Sequence, residues 1–173
     1  MSLSGKKIAV MAGPEFEDLE LFYPLLRLKE EGADVKVIAQ TMDGYCGKHG
    51  LAIRPDLTFK GARPEEFDAL VIPGGWAPDR LRRVPEVLEF TRRMFQMGKI
   101  VASICHGPQI LISAGVLKGK KIACVSAIKD DVINAGATFL DAPVVRDGNL
   151  ISSRIPRDLP DFCREIIKAL RES

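Results

Sequence analysis

Four short apolar runs, most of them followed by a turn and an amphipathic stretch, limit the fold of this sequence more than any other feature. The runs are KIAVMA (7–12), ADVKVIA (33–39), DALVIP (68–73) and KIVASI (99–104). Buried strands that alternate with helices are typical of a mostly parallel sheet that is covered on both faces. We therefore predict one doubly wound α/β domain over residues 1–173.

The rest of the chain fits the same pattern. Three amphipathic segments are predicted to be helices, at about 17–31, 84–98 and 108–115, and a closing helix is predicted at about 158–170. A segment rich in glycine, at 43–59, predicts turns and a small hairpin. Further strands are expected within KKIACV (120–125), ATFL (137–140), APVVRDG (142–148) and NLISSR (149–154).

Charge and cysteine usage exclude several classes of protein. The 25 basic and 23 acidic residues leave a net charge of +2, too balanced to predict a nucleic-acid or membrane partner. The four cysteines contain no C-x-x-C pair, so we predict reduced thiols, no metal site and no cofactor. No apolar run reaches the length of a transmembrane helix, and the first strand begins too early for a signal peptide. A cytoplasmic protein is expected.

The residues that directly follow the predicted strands are the first place to look for a ligand site. In a doubly wound sheet the ligand crevice lies beyond the carboxyl ends of the parallel strands. Four segments occupy that position, namely 13–18, 73–80, 103–108 and 152–156.

One of these segments has the spacing of a nucleophile elbow. A tight turn from strand to helix requires small residues two positions before and after the nucleophile, and Ser103 and Gly107 meet this requirement around Cys105. At the start of a helix, the dipole and the free N–H groups favour a thiolate and lower the pKa of a cysteine. The alternative is a free cysteine that fills space in the core. We predict that Cys105 is a nucleophile.

Other residues near the sheet edge have a functional and a structural interpretation. His106 is the nearest base, yet adjacent side chains at a sharp turn point apart, so it could equally be a surface histidine. Four acids between residues 15 and 20 need no catalytic role, because a helix start favours negative charge. Gly74 and Gly75 either end a strand or present backbone N–H groups to an oxyanion. Trp76 either borders the cleft or anchors an interface.

The sequence as a whole resembles the PfpI/DJ-1 superfamily, and its PfpI branch most. The segments that carry the resemblance are FEDLEL, GKHG, FDALVIPGGWAPDRLR, VASICHGPQILISAGVLKGKKI, INAGA and ISSRIPRDLPDF, which span nearly the whole chain in the right order. This branch includes archaeal intracellular proteases and bacterial general-stress deglycases. The resemblance implies a flavodoxin-like fold, related to class I glutamine amidotransferases, and a homo-oligomer (a dimer or higher, up to a hexamer).

The resemblance also implies a role for individual residues. Cys105 corresponds to the nucleophile, His106 to the residue that follows it, and Glu17 to the carboxyl group that approaches the sulfur. Gly74 and Gly75 correspond to donors of the oxyanion hole. Asp79 corresponds to an acid that orients the histidine of a neighbouring subunit.

Two departures and two further residues complete the comparison with the superfamily. Asp79 stands where proteases of the branch commonly have glutamate, and KKIACVSAIKDD lacks their aromatic-proline pair, so the chain leans toward the stress proteins. Arg154 either binds an anionic substrate or is structural, and His49 is interpreted as a turn residue.

The resemblance, together with the elbow at Cys105, implies a cysteine-dependent hydrolase that acts as a deglycase or glyoxalase. Its partners would be methylglyoxal, glyoxal or early adducts of these compounds on protein side chains. An intracellular cysteine peptidase, acting on peptides, is the first alternative, and a redox sensor or chaperone that uses Cys105 is the second. A class I glutamine amidotransferase is excluded, because its catalytic histidine lies downstream and this chain has no histidine after His106.

Overall fold

The computed structural model describes residues 2–173, which form eleven strands, six α-helices and three short 3₁₀ helices. The strands are β1 (Lys7–Met11), β2 (Asp34–Ala39), β3 (Tyr45–Cys46), β4 (Ala52–Ile53), β5 (Leu57–Thr58), β6 (Ala69–Ile72), β7 (Ile100–Ile104), β8 (Lys121–Ile122), β9 (Thr138–Phe139), β10 (Val144–Asp147) and β11 (Leu150–Ser153). The α-helices are α1 (Asp18–Glu30), α2 (Ala77–Leu81), α3 (Pro85–Gln96), α4 (Pro108–Ala114), α5 (Lys129–Asn134) and α6 (Leu159–Glu172). The 3₁₀ helices are Pro64–Glu66, Ser126–Ile128 and Pro156–Asp158.

Seven strands form the central sheet, in the order β10-β11-β7-β6-β1-β2-β5. Every neighbouring pair is parallel except the edge pair of β10 and β11, which is antiparallel. All residues of β6, β7 and β11 are buried, although side chains alternate between the two faces of a strand. Both faces of the sheet are therefore covered, which confirms the predicted doubly wound, mostly parallel α/β fold.

The helices pack in two groups. α1 packs against α6, and these two helices contact β1, β2, β7 and β11. α3 packs against α4 and contacts β6 and β7. Nearly all residues of β1, β2, β6 and β7 after their first positions are buried, so the apolar runs read from the sequence form the core.

The short strands outside the central sheet differ in part from expectation. The predicted hairpin is confirmed, since β3 pairs with β4 in an antiparallel ribbon. β8 and β9, in contrast, pair only with each other and stay outside the central sheet. Only two residues of the predicted strand KKIACV therefore form a strand.

The carboxyl ends of β1, β6, β7 and β11 lie at one edge of the sheet, because these strands are parallel. The segments at 13–18, 73–80, 103–108 and 152–156 therefore meet there, as expected. Within residues 2–173, no helix combines the length and the apolar character needed to cross a lipid bilayer.

Candidate active site

Cys105 occupies a strained turn between β7 and α4. Its φ is 60°, in the left-handed region that a side chain with a Cβ rarely adopts, and such a residue costs on the order of 1–3 kcal/mol. A Cβ added at Gly107 would lie 2.6 Å from the Ser103 Oγ, so larger residues at these two positions would collide. The elbow inferred from the spacing of small residues is therefore present.

The backbone of Cys105 is held from two sides. Its N–H donates to the carbonyl of Ser153 at 3.1 Å, and its carbonyl accepts from the N–H of Val125 at 3.2 Å. Cys105 is half-buried, so the residue is not sealed from solvent. The sulfur lies 3.4 Å from the Nδ1 of His106, close enough for a proton to pass between them. Adjacent side chains thus meet at this turn, although they commonly point apart.

The carboxyl group beside Cys105 belongs to Glu20 and not to Glu17, which corrects the residue chosen from the sequence. A Cβ added at Gly74 would lie 2.5 Å from the Glu20 Oε2 and 2.8 Å from the Cys105 Cβ, so the two side chains flank the same glycine. Glu20 is fully buried, and its Oε2 accepts from the Gly74 N–H at 2.7 Å. Its Oε1 has no conventional hydrogen-bond partner among residues 2–173 and is available for a proton.

The carboxylate of Glu17 contacts the first turn of α1 and His49 instead of Cys105, because Glu17 is the N-cap of α1. Its backbone is extended, and its Oε2 accepts from the N–H of Glu20 at 2.9 Å, which satisfies a free donor of the first turn. Its Oε1 lies 3.6 Å from the Nε2 of His49, an exposed residue of the loop between β3 and β4. Asp18 fixes this loop by accepting from the N–H groups of His49 and Leu51 at 2.9 and 2.8 Å. Glu17 therefore acts on the site through Glu20.

Burial decides the protonation of Glu20. Burial raises the pKa of Glu20 to about 8, the Gly74 N–H opposes this rise, and the negative charge of Glu17 adds to it. Glu20 therefore holds its proton at neutral pH in most molecules. A carboxyl group in this state can donate to an anion that forms beside it.

The Cys105 thiol is not the resting thiolate that its position at a helix start predicts. Burial, followed by the negative charge of Glu20, raises the pKa of Cys105 to about 12. The N–H groups of His106 and Gly75 lower the pKa of the thiol, but the effect of desolvation is larger. The charge of Glu20 is absent while Glu20 is protonated, so the neutral carboxyl group opposes formation of the thiolate less than the carboxylate does.

Gly74 and Gly75, the two glycines after β6, differ in the group that their N–H acts on. Gly75 has a φ of 78°, and a Cβ there would lie 2.4 Å from the N of Glu17, so only glycine fits. Its N–H and the N–H of His106 both lower the pKa of the Cys105 thiol, which is the effect expected of oxyanion donors. The N–H of Gly74 is already taken by Glu20, so the structure does not bring Gly74 to an oxyanion.

His106 borders a cleft of about 660 Å³ that opens next to the elbow. Burial, followed by the positive charge of Lys48, lowers the pKa of His106, so the imidazole is neutral at pH 7 and its Nδ1 can accept a proton. Its ring centroid lies 6.0 Å from that of Trp76, which is 58% exposed. The cleft is lined by Glu15, Trp76, Asp79, Arg80, His106, Gln109, Ala127, Ile128 and Asp131.

Asp79 lines this cleft but does not orient the His106 of its own chain. Its carboxylate pairs with Arg83 one turn further along. Its role across a subunit interface stays a prediction.

Arg154 lies at a different cavity, which corrects its expected place at the substrate site. Its guanidinium group donates to Asp158 at 2.9 and 3.2 Å and to Asp141 at 2.7 Å. These two carboxylates compensate the charge of Arg154. Together with Asp141, Arg154 lines a cavity of about 440 Å³. Arg154 is a structural residue here, the second of its two interpretations.

Known proteins match this chain in sequence and in fold. The profile of the DJ-1/PfpI family matches residues 6–169. The chain belongs to the DJ-1/PfpI family. All of the site residues described above lie within the matched region.

Individual DJ-1/PfpI proteins extend this finding. Two proteins named deglycases, one from Pyrococcus horikoshii and the protein Deglycase PfpI from Pyrococcus furiosus, are each 53% identical over 165 residues, which are 95% of this chain and 99% of theirs. A crystal structure from Anabaena variabilis, of a protein with DJ-1/ThiJ/PfpI-like and ferritin-like domains, matches with a TM-score of 0.94 and 44% identity. That match covers 95% of this chain and 48% of the two-domain protein.

Proposed function

We propose that this protein is a deglycase that uses the thiol of Cys105. Its substrates are early adducts of methylglyoxal or glyoxal on protein side chains, together with the free α-oxoaldehydes. The observation that carries the proposal is the sulfur of the half-buried Cys105, with the protonated carboxyl group of Glu20 beside it, the Nδ1 of His106 3.4 Å away and two backbone N–H groups that lower the pKa of the thiol. The two Pyrococcus proteins that are named deglycases and share 53% of their aligned residues with this chain support the assignment.

The overall reaction needs no external oxidant or reductant. An adduct of methylglyoxal on an amine, plus one water, gives the free amine and an α-hydroxy acid. The carbon bonded to nitrogen is oxidised to a carboxyl group, while the neighbouring ketone carbon is reduced to an alcohol. Atoms and electrons therefore balance within the substrate and water.

The first step makes a carbon–sulfur bond. The sulfur of Cys105 attacks the carbon that carried the aldehyde, and its proton passes to the Nδ1 of His106, 3.4 Å away. When the substrate is an adduct on an amine, this amine is the leaving group and takes the proton from the imidazolium of His106. With a free oxoaldehyde, the new alkoxide is stabilised by the N–H groups of Gly75 and His106.

The second step moves a proton between two carbons of the bound substrate. The carbon attached to sulfur loses a proton and its neighbour gains one, while the hydroxyl proton moves to the oxygen of the former ketone, which converts the hemithioacetal to a thioester that water then cleaves. Glu20 suits this transfer, because a pKa of about 8 lies near neutral pH and the group can both accept and donate. Water regenerates the thiol and releases the hydroxy acid.

The direct test compares turnover by wild type and by single variants. Release of the amine from a methylglyoxal-treated peptide and loss of free methylglyoxal are measured in parallel. Cys105→Ala should abolish both reactions and Glu20→Gln should reduce both strongly, whereas Cys46→Ala, which removes an exposed cysteine, should keep both. Full activity in Cys105→Ala would refute the assignment.

A redox-sensing role is the second candidate, and the same pair of residues favours it. Peroxide oxidation of the Cys105 sulfur to a sulfinate would place an anion beside the protonated Glu20, which can donate to it. Mild peroxide followed by mass spectrometry tests this role. Selective oxidation of Cys105 without turnover of either substrate would favour the sensor.

The peptidase alternative depends on an oligomer in which Asp79 of the partner subunit orients His106. Mixed oligomers of Asp79→Ala and Cys105→Ala chains should then regain activity on peptides, because one interface would combine an intact acid with an intact thiol. No regain would count against a shared site.

A further inference from the structure

The cleft at the proposed active site carries more negative than positive charge. Its lining has the carboxylates of Glu15, Asp79 and Asp131 against the single guanidinium of Arg80. Arg80 pairs with Glu15, and Asp79 pairs with Arg83 outside the lining. Asp131 is exposed and has no salt-bridge partner within residues 2–173. One carboxylate of the cleft is therefore free to bind a cation.

The same cleft exposes the face of an aromatic ring. Trp76 is 58% exposed although it follows two buried glycines, and its ring lies 6.0 Å from that of His106. An indole face attracts a cation through its quadrupole, and this attraction is strongest for tryptophan among the aromatic side chains. An uncompensated carboxylate and an exposed indole in one cleft are the two groups that recognise an organic cation.

The nearby cation, Lys48, does not cancel this preference. It lies on the loop between β3 and β4 and is not among the residues that line the cleft. Its charge acts on Glu20 and His106, at the thiol end of the site.

We infer that the protein acts preferentially on adducts carried by arginine side chains, and that Asp131 and Trp76 determine this specificity. This inference rests on the proposed deglycase function. An early adduct on the guanidinium of an arginine keeps a delocalised positive charge at neutral pH. The corresponding adduct on a cysteine thiol is neutral and gains nothing from Asp131.

Binding can be measured without turnover, because Trp76 is the only tryptophan of the chain and lies in the cleft. Quenching of its fluorescence is followed in the Cys105→Ala protein. The two probes are N-acetylarginine methylamide and N-acetylcitrulline methylamide, which have nearly the same shape but differ by one positive charge. The arginine probe should bind roughly two to five times more tightly, the range of one exposed charge pair.

A pair of adjacent aspartates provides matched variants. Asp131→Asn should remove the preference for the arginine probe, whereas Asp130→Asn, which changes an exposed neighbour outside the cleft lining, should keep it. Equal affinity for both probes in the Cys105→Ala protein, no quenching by either, or a preference that survives in Asp131→Asn would each overturn the inference.

A kinetic arm separates this inference from the proposed function. With Cys105 intact, kcat/KM is compared for methylglyoxal adducts of the arginine probe and of N-acetylcysteine methylamide. Asp131→Asn should lower kcat/KM for the arginine adduct by roughly two to five times and leave kcat/KM for the cysteine adduct unchanged. The ratio of the two values should therefore fall by the same factor. Turnover of both adducts at equal rates refutes the specificity alone. A binding preference with no turnover of either adduct refutes the deglycase function alone.

Discussion

Replacing Glu20 by glutamine should remove a pH dependence from the stability of this protein. The folded state raises the pKa of Glu20 from its ordinary 4.5 to about 8, mainly by burial. Between these values the unfolded chain has lost the proton while the folded chain keeps it. Folding therefore binds a proton, and the free energy of unfolding falls as the pH rises through this window.

The magnitude follows from the size of the shift. Each unit of pKa difference corresponds to about 1.4 kcal/mol, so Glu20 lowers the free energy of unfolding by about 5 kcal/mol between about pH 4.5 and about pH 8. Glutamine has no proton to lose, and its side-chain oxygen can still accept from the Gly74 N–H. The difference in stability between Glu20→Gln and wild type should therefore grow by about 1.4 kcal/mol per pH unit.

Urea unfolding at fixed protein concentration, followed by the fluorescence of Trp76, measures this difference at several values between about pH 5 and about pH 8. When the free energy of unfolding of one protein is subtracted from that of the other, the contributions of His106 and the surface carboxylates cancel, because both proteins keep these groups. The ordinary pKa of Cys105 and its raised value of about 12 both lie above this range. Glu89→Gln, which changes an exposed carboxylate of α3, should keep the wild-type slope. Parallel stability curves for Glu20→Gln and wild type would refute the argument that Glu20 is protonated by burial.

Three further predictions concern the groups around the sulfur. Iodoacetamide should alkylate Cys105 several times faster in Glu20→Gln than in wild type above about pH 8, since the carboxylate no longer opposes the thiolate; an equal or slower rate would contradict this coupling. Glu17→Ala should lose about 0.5–2 kcal/mol of stability in urea because α1 loses its N-cap, and an unchanged unfolding midpoint would count against the cap. Gly75→Ala should lose at least about 2 kcal/mol and its activity, because its Cβ would lie 2.4 Å from the N of Glu17. The control Gly148→Ala, with nothing within 4 Å of its Cβ, should lose less and stay active.

The fold and the strained elbow at Cys105 could be predicted because both depend on local patterns. Alternating apolar runs and amphipathic segments require a covered parallel sheet, and the sheet brings the ends of its strands to one edge. The small residues Ser103 and Gly107 marked the elbow, and a left-handed φ at Cys105 is what that spacing requires. Short-range constraints of this kind are visible in the sequence.

The choice of the carboxyl group failed for a reason that the sequence also contains. Glu17 and Glu20 stand at the N-cap and three residues later, and an N-cap side chain folds back onto the N–H at that third position. Glu20, Pro24 and Leu28 follow one another at intervals of four residues, so they lie on the same face of α1, and all three are buried. An acid on the apolar face of a helix was the signal that would have singled out Glu20.

The roles of Arg154 and Gly74, and the raised pKa of Cys105, depend on contacts between distant parts of the chain. Arg154 is compensated by Asp141 and Asp158, and the N–H of Gly74 is taken by Glu20, 54 residues away. Desolvation of the sulfur is set by packing around the elbow and outweighs the N–H groups that lower the pKa of the thiol. Neither pairing nor burial of this kind follows from spacing.

The proposed reaction requires a covalent bond between the sulfur of Cys105 and the substrate. Wild-type protein is mixed with methylglyoxal, quenched in acid during turnover, digested and mapped by mass spectrometry. We expect an added mass of one methylglyoxal on the peptide that contains Cys105, and more of this species in Glu20→Gln because the proton transfer that follows is slowed. Turnover without any adduct on that peptide, or with the adduct on Cys46 in its place, would contradict it.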